Sequence, residues 1–261
     1  MVLGKAVRLS RIMRQGKMVC IPMDHGLSIG PITGLDEIFR TIGAVDAGGA
    51  SAVLINKGIL KSLPFMPRAG VIVHLSAGTN AGPFPNLKVI SGSVEEALRL
   101  GGDAVSVHVN IGAKEEPEML ASAGVIGDAC DAWGVPFIMM MYPRGGNNGG
   151  SNEPSAVAHA ARIGAELGAD LVKTPYTGDV ESFRRVVRSV PVPLVIAGGP
   201  KIENDIEVLT MVKGAMDAGA CGVTLGRNVF QHKDPELMTR AIAKIVFDEA
   251  EIEEAVSILH V

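Results

Sequence analysis

The sequence predicts an α/β fold, a (β/α)8 TIM barrel forming a single domain over residues 1–261. Three observations carry that prediction. Eight short apolar runs alternate with helical patterns over about 250 residues, the rhythm of eight βα units. The runs are continuous rather than alternating, as parallel strands covered on both faces are. Four segments, "DAGGASAVLI" (46–55), "LGGDAVSVHV" (100–109), "LGADLVKT" (167–174) and "AGACGVTLG" (218–226), repeat one pattern in which a helix ends on glycine and a β-branched run follows at once. Glycine closes helices because it accepts the left-handed backbone. The aligned glycines Gly49, Gly102, Gly168 and Gly219 recur at a spacing that fits paired βα modules.

The elements follow in order. The basic segment 1–17, "MVLGKAVRLSRIMRQGK", is broken by polar residues and lacks the apolar stretch of a signal peptide. The apolar runs are Met18–Met23, Ala52–Asn56, Gly70–His74, Ala104–Val109, Val135–Met141, Asp170–Lys173, Pro193–Ala197 and Gly222–Leu225. Helical spacing of apolar residues, three and four apart, is clear in "LDEIFRTIGAVDAG" and "DIEVLTMVKGAMDAG" and poorly marked after Asn56. A doubly wound open sheet is the rival architecture, but no GxGxxG follows the first run. The tail "DEAEIEEAVSILHV" reads as an acidic amphipathic helix over 248–260, either the last barrel helix or a surface for a neighbouring subunit.

Composition narrows the class. Hydrophobic residues make up 47% of the chain and aromatics 4%, so the core is aliphatic. A net charge of −4 gives no electrostatic case for nucleic acid or an anionic membrane. No apolar run approaches the roughly 18 residues of a membrane span. Three cysteines, odd in number and far apart, read as buried reduced thiols in a cytoplasmic protein.

In such a barrel the chemistry sits at the C-terminal ends of the strands. Those ends carry Asp24-His25-Gly26, Asn56-Lys57-Gly58, His74, His108 with Asn110, Tyr142-Pro143-Arg144, Lys173, Gly198-Gly199 and Gly226-Arg227. The N-terminal ends carry little, and this asymmetry points to an enzyme. Glycines in the last two loops let backbone amides approach a phosphate, with Arg227 adding charge, or they make tight turns.

Lys173 ends an apolar run and is a surface lysine, an ion-pair partner or a Schiff-base nucleophile, since a desolvated amine is driven toward its neutral, nucleophilic form. Lys57 competes for the role, though "NKG" fits an ion pair or a substrate contact better. Tyr142 is a core aromatic or an acid/base group, and Asp24 a helix cap or a proton carrier. Glu95, Glu96 and Asp179 stand at helix starts, where capping accounts for them. His25, His74 and His108 bind substrate, satisfy the core or hold a metal, but no HxxxH or His-x-His pair supports a metal. The loop "PRGGNNGGSNEP" (143–154) is a ligand-ordered lid, with Arg144 meeting phosphate or carboxylate, or a passive loop.

Taken together, "IPMDHG", "HVNIG", "MMMYPRG", "AHAARIGAELGADLVKTPYTGD", "PLVIAGGPK" and "GVTLGRNVFQH" resemble the archaeal-type class I aldolase family (DeoC/FbaB-like) from about Lys5 to about Glu249. The family includes fructose-bisphosphate aldolases and aminoheptulosonate synthases, and the motifs match the synthases best. The resemblance implies a Schiff-base lysine at Lys173, proton handling by Asp24 and Tyr142, and a phosphate site at Gly198, Gly199, Gly226 and Arg227. It also implies a homo-oligomer, often a decamer in this family, and chemistry with no cofactor and no metal. The expected substrates are a phosphorylated ketose and a small aldehyde: a three-carbon hydroxyketone unit passes from 6-deoxy-5-ketofructose 1-phosphate to L-aspartate semialdehyde. The fructose-bisphosphate aldolases carry a tryptophan two residues before the tyrosine, where this chain has Met140, and that departure turns the expectation away from fructose 1,6-bisphosphate. A related thiolase lacks the tyrosine. Cleavage of fructose 1,6-bisphosphate, a metal-dependent lyase using the histidines, and a catalytically silent sugar-phosphate binder are the alternatives.

Overall fold

The computed structural model describes residues 3–145 and 152–260. Eight parallel strands close into a barrel: β1 (Met18–Pro22), β2 (Ala52–Asn56), β3 (Gly70–His74), β4 (Ala104–Ile111), β5 (Phe137–Pro143), β6 (Leu171–Pro175), β7 (Leu194–Ala197) and β8 (Gly222–Thr224). Around the barrel the order is β1-β8-β7-β6-β5-β4-β3-β2. The eight runs read from the sequence are these eight strands. Three of them reach further than the apolar signal, since β4 extends to Ile111, β5 to Pro143 and β6 to Pro175. Polar His108 and Asn110 and the phenol of Tyr142 therefore lie within strands, because backbone pairing between β4 and β5 continues through Asn110–Tyr142 and Ile111–Pro143.

Side chains alternate across a strand, so every second residue enters the barrel. Met18, Cys20, Ala52, Leu54, Ile72, Ala104, Ile138, Met140, Leu171 and Val195 form the interior cluster. Val19, Ile21, Val53, Val105, Val107 and Val172 pack outward in the core beneath the helices. The cysteines are free thiols, and burial pushes each up to about 12. Among the described residues no helix is long and apolar enough to cross a membrane.

Three local expectations change. The N-terminal segment is a helix, α1 (Leu3–Ile12), whose last residue Ile12 is fully buried with the interior cluster. It closes the N-terminal end of the barrel, where burying one isoleucine is worth about 1.5–3 kcal/mol. Buried Lys5 fixes it there through Asp131 (2.5 Å) and Asp170 (2.8 Å). The helix-closing glycine in 100–109 is Gly101 (φ +87°), not Gly102; Gly102 instead gives way to Val73, whose Cγ2 would lie 2.6 Å from a Cβ there. The acidic tail is not one helix over 248–260. The last barrel helix, Pro235–Asp248, ends there; Glu249 takes a left-handed turn (φ +58°) and a separate helix, Ile252–Leu259, starts at a Glu251/Glu254 capping box. That helix buries Ala255 and Leu259 against its own chain.

The poorly marked units have short helices. After β2 comes a six-residue helix, Lys57–Ser62. After β3 the chain makes a two-stranded ladder, Ser76–Ala77 with Val89–Ile90, before the helix Val94–Arg99. The loop inside that ladder, "GTNAGPFPNLK", is too rich in glycine and proline for a helix and contributes to the mouth of the barrel.

Candidate active site

The C-terminal ends of the strands surround a cavity of about 1170 Å³. Asp24, His25, His74, His108, Tyr142 and Lys173 line it, as do Arg144 and the two glycine loops. Strand parity explains much of this gathering. Lys173 stands two residues after inward Leu171, Tyr142 two after Met140, His74 two after Ile72, and His108 four after Ala104. Lys173, Tyr142 and His74 each occupy the inward column one layer above an apolar residue, and His108 stands one layer above Ser106 and two above Ala104.

Lys173 sits between Met140 of β5 and Val195 of β7 and is 5% exposed. Among the described residues no carboxylate forms an ion pair with its amine, so this is a buried amine without an anion in contact, an uncommon setting for lysine.

Asp24 follows β1 at the start of a five-residue helix, His25–Ile29, but its side chain makes no cap hydrogen bond. It turns instead toward two imidazoles: Oδ1 lies 3.3 Å from His25 Nδ1 and Oδ2 lies 3.8 Å from His74 Nε2. Burial alone would raise its carboxyl. Contact with the His25 and His74 imidazoles, with Lys173 adding to it, outweighs burial and holds it well below the usual carboxylate range. The carboxylate is thus ionised at neutral pH.

His74 and His108 are held as neutral rings. Ser106 Oγ lies 2.8 Å from His74 Nδ1, and burial lowers that imidazole. Asn110 donates its amide to the Asn86 carbonyl (2.7 Å), so its Oδ1 is an acceptor and His108 Nε2 donates to it at 2.9 Å. Burial lowers His108 to about 3, against the smaller raising effect of that hydrogen bond. Among the described residues no group of three or more His, Cys, Asp and Glu could hold a metal ion. Tyr142 stacks at 4.8 Å and 38° on His108, with the Arg144 guanidinium 5.2 Å from its ring centre.

A pH dependence follows. In the unfolded chain His108 takes a proton near its ordinary value of 6.5, whereas folded it resists until about 3. Its contribution to stability is complete above 6.5 and is lost as pH falls toward 3, at about 1.4 kcal/mol per pH unit for one proton. Replacing His108 with glutamine should flatten the fall of unfolding free energy between pH 6 and pH 4 by about that slope. Denaturant titrations at several pH values measure it, and parallel curves for the two proteins would contradict it.

The glycine loops are tied to each other. Arg227 donates to the Gly199 carbonyl (2.9 Å), while Asn228 donates to the Gly198 carbonyl (2.7 Å) and accepts from the Ile202 amide (2.7 Å). Gly199 is left-handed (φ +67°), and a Cβ on Gly226 would come within 2.9 Å of His25 Cε1. Asn228 is a clamp that strand-end reasoning missed; "GRN" was its only signal.

Lys57 does not line the cavity. It starts the short helix after β2 and pairs with Glu96 at 2.9 Å, the ion-pair reading of "NKG". Lys88, which the ends of the barrel strands could not reveal because it closes the 78–88 loop just before the ladder strand Val89–Ile90, does line the cavity. Of the loop read as a lid, residues 146–151 lie outside the described residues.

The chain matches the DeoC/LacD family aldolases over residues 18–232, and it belongs to that family. It is 45% identical over 257 residues to a 2-amino-3,7-dideoxy-D-threo-hept-6-ulosonate synthase of Halobacterium salinarum, covering 97% of this chain and 96% of the relative. It is 38% identical over 247 residues to a 2-amino-4,5-dihydroxy-6-oxo-7-(phosphonooxy)heptanoate synthase of Streptomyces griseus, covering 93% and 90%. Among solved structures, a Schiff-base-forming fructose-1,6-bisphosphate aldolase superposes with a TM-score of 0.86 at 32% identity, covering 93% of this chain and 100% of that one.

Proposed function

We propose that this aldolase is a 2-amino-3,7-dideoxy-D-threo-hept-6-ulosonate synthase acting through a Schiff base on Lys173. The observation that carries the chemistry is a buried amine with no carboxylate partner, facing a cavity shared with ionised Asp24 and with Tyr142. Lys173 Nζ attacks the C5 ketone of 6-deoxy-5-ketofructose 1-phosphate; water leaves the carbinolamine and an iminium forms. The C3 hydroxyl gives up its proton, the C3–C4 bond breaks, and its electron pair moves to the iminium nitrogen, leaving an enamine. Hydroxypyruvaldehyde phosphate departs. The enamine carbon then attacks the aldehyde of L-aspartate semialdehyde, whose oxygen takes a proton, and water releases the product. Tyr142 and Asp24 carry the protons. The iminium is the electron sink, so the bond cleavage needs no metal.

The acceptor is supported by both curated relatives, whose product names describe seven-carbon 2-amino acids. Carbons 1–4 of that skeleton correspond to aspartate semialdehyde and carbons 5–7 to a hydroxyketone. Met140 supports the same choice: it is the inward residue paired directly with Lys173, at the position where the fructose-bisphosphate aldolases carry tryptophan. In this reading the loops at Gly198, Gly199, Gly226 and Arg227 receive a ketose phosphate, His25 and His108 contact substrate, and the protein is a cytoplasmic homo-oligomer. The solved relative supports a second reading, cleavage of fructose 1,6-bisphosphate. Product analysis separates the two. With 6-deoxy-5-ketofructose 1-phosphate, the seven-carbon amino acid should form only when aspartate semialdehyde is added. Rapid cleavage of fructose 1,6-bisphosphate with no such product would overturn the synthase.

A further inference from the structure

A synthase of this kind must hold two anionic molecules, a ketose phosphate and an amino-acid aldehyde. Four cations of fixed charge type line the cavity: Lys88, Arg144, Lys173 and Arg227. Lys173 is the amine that forms the Schiff base, and Arg227 is bound to the glycine loops. Lys88 and Arg144 remain, and they stand on the other side of Lys173. In barrel order the glycine loops follow β7 and β8, on one flank of β6, while Tyr142 and His108 rise from β5 and β4 on the other. Arg144 stacks over Tyr142, and its backbone amide is fixed to the Ile111 carbonyl at 2.8 Å.

The Lys88 side is built as well. Its stem packs on Gly78, where a Cβ would come within 2.9 Å of Nζ, so a larger residue would push the amine away. The loop carrying it is anchored by Asn110 through the Asn86 carbonyl, one link from His108. Among the described residues neither Lys88 nor Arg144 has a carboxylate partner. The Lys88 amine is lowered by burial first and by Arg144 next, with Asp24 pulling the opposite way. Two cations that line one cavity without a carboxylate partner form a site that a carboxylate completes, and the planar fork of Arg144 matches carboxylate geometry.

We propose that Lys88 and Arg144 bind the carboxylate of the acceptor aldehyde, beside the phenol that protonates the aldehyde oxygen. The proposal rests on the synthase reading above. Lys88→Gln in the full chain, assayed at saturating ketose phosphate, should raise KM for L-aspartate semialdehyde and for succinic semialdehyde about 10- to 100-fold. KM for neutral butanal and for the ketose phosphate should not follow. Arg144→Gln, on a different element, should repeat the pattern. Unchanged KM for the two acids, or an equal rise with butanal, would overturn the subsite alone. A rise confined to the ketose phosphate would also overturn it and assign the pair to phosphate. Wild-type enzyme that traps the ketose on Lys173 yet transfers nothing to any aldehyde would remove the synthase reading, and the subsite with it.

Discussion

Lys173→Met should leave a folded barrel with turnover reduced by at least about 10⁴-fold. Methionine has nearly the length of lysine and no amine. The site it enters is 5% exposed and flanked by Met140 and Val195, so the substitution removes a buried charge and keeps the packing. Stability should hold or rise, because a buried amine without a carboxylate partner is costly and a thioether is not. Borohydride added with the ketose phosphate should attach substrate mass to Lys173 of the wild type and to nothing in the variant. An adduct mapped to Lys57 or Lys88, or a variant retaining substantial turnover, would refute the assignment. Loss of activity together with loss of the fold would point to a structural lysine, and a denaturation curve on the same sample distinguishes that case.

Tyr142→Phe should lower kcat by about 10²- to 10⁴-fold while changing KM for the ketose much less, the range for losing one general acid or base. The ring of Tyr142 already serves packing: it stacks on His108 at 4.8 Å and supports the Arg144 guanidinium. Phenylalanine keeps both contacts and deletes only the hydroxyl. Borohydride trapping should survive in this variant at a reduced rate, since the amine is intact and proton transfer alone is impaired. A kcat within threefold of wild type would make Tyr142 a packing residue. Asp24 has no such packing role, because it makes no cap bond and its surroundings are imidazoles and an amine.

Much of the barrel is legible because strands and helices write their periods locally. The run Leu171–Val172–Lys173 reads as a buried strand, and period-two alternation places Lys173 inside once Leu171 is inside. The asymmetry of functional groups at strand ends is legible for the same reason: a parallel strand has a direction, and Asp24, His74, Tyr142 and Lys173 all lie at its C-terminal end. The N-terminal helix was less legible. Its amphipathic pattern marks an apolar face, but only the closed barrel shows that Ile12 fills the bottom layer. Likewise "DEAEIEEAV" hides a helix break, because the left-handed turn at Glu249 falls on a residue that seldom adopts it.

The choice among cations could not be read from order along the chain. Lys57 stands at the end of a barrel strand and Lys88 at the end of a loop outside the barrel strands, yet Lys57 lies outside the cavity and Lys88 lines it. Glu96, on the helix after the ladder, neutralises Lys57 at 2.9 Å, whereas Gly78 leaves room for Lys88 to reach the mouth. Glu96 is brought to Lys57 from a later helix, and Gly78 meets Lys88 across the two ends of one loop. The sequence by itself determined the barrel, the inward lysine and the places of Asp24 and Tyr142 at strand ends, since these follow from strand period and strand direction. The tertiary structure decided which charges face substrate, which imidazoles stay neutral and which asparagine ties the glycine loops, because charge compensation and desolvation depend on neighbours in space.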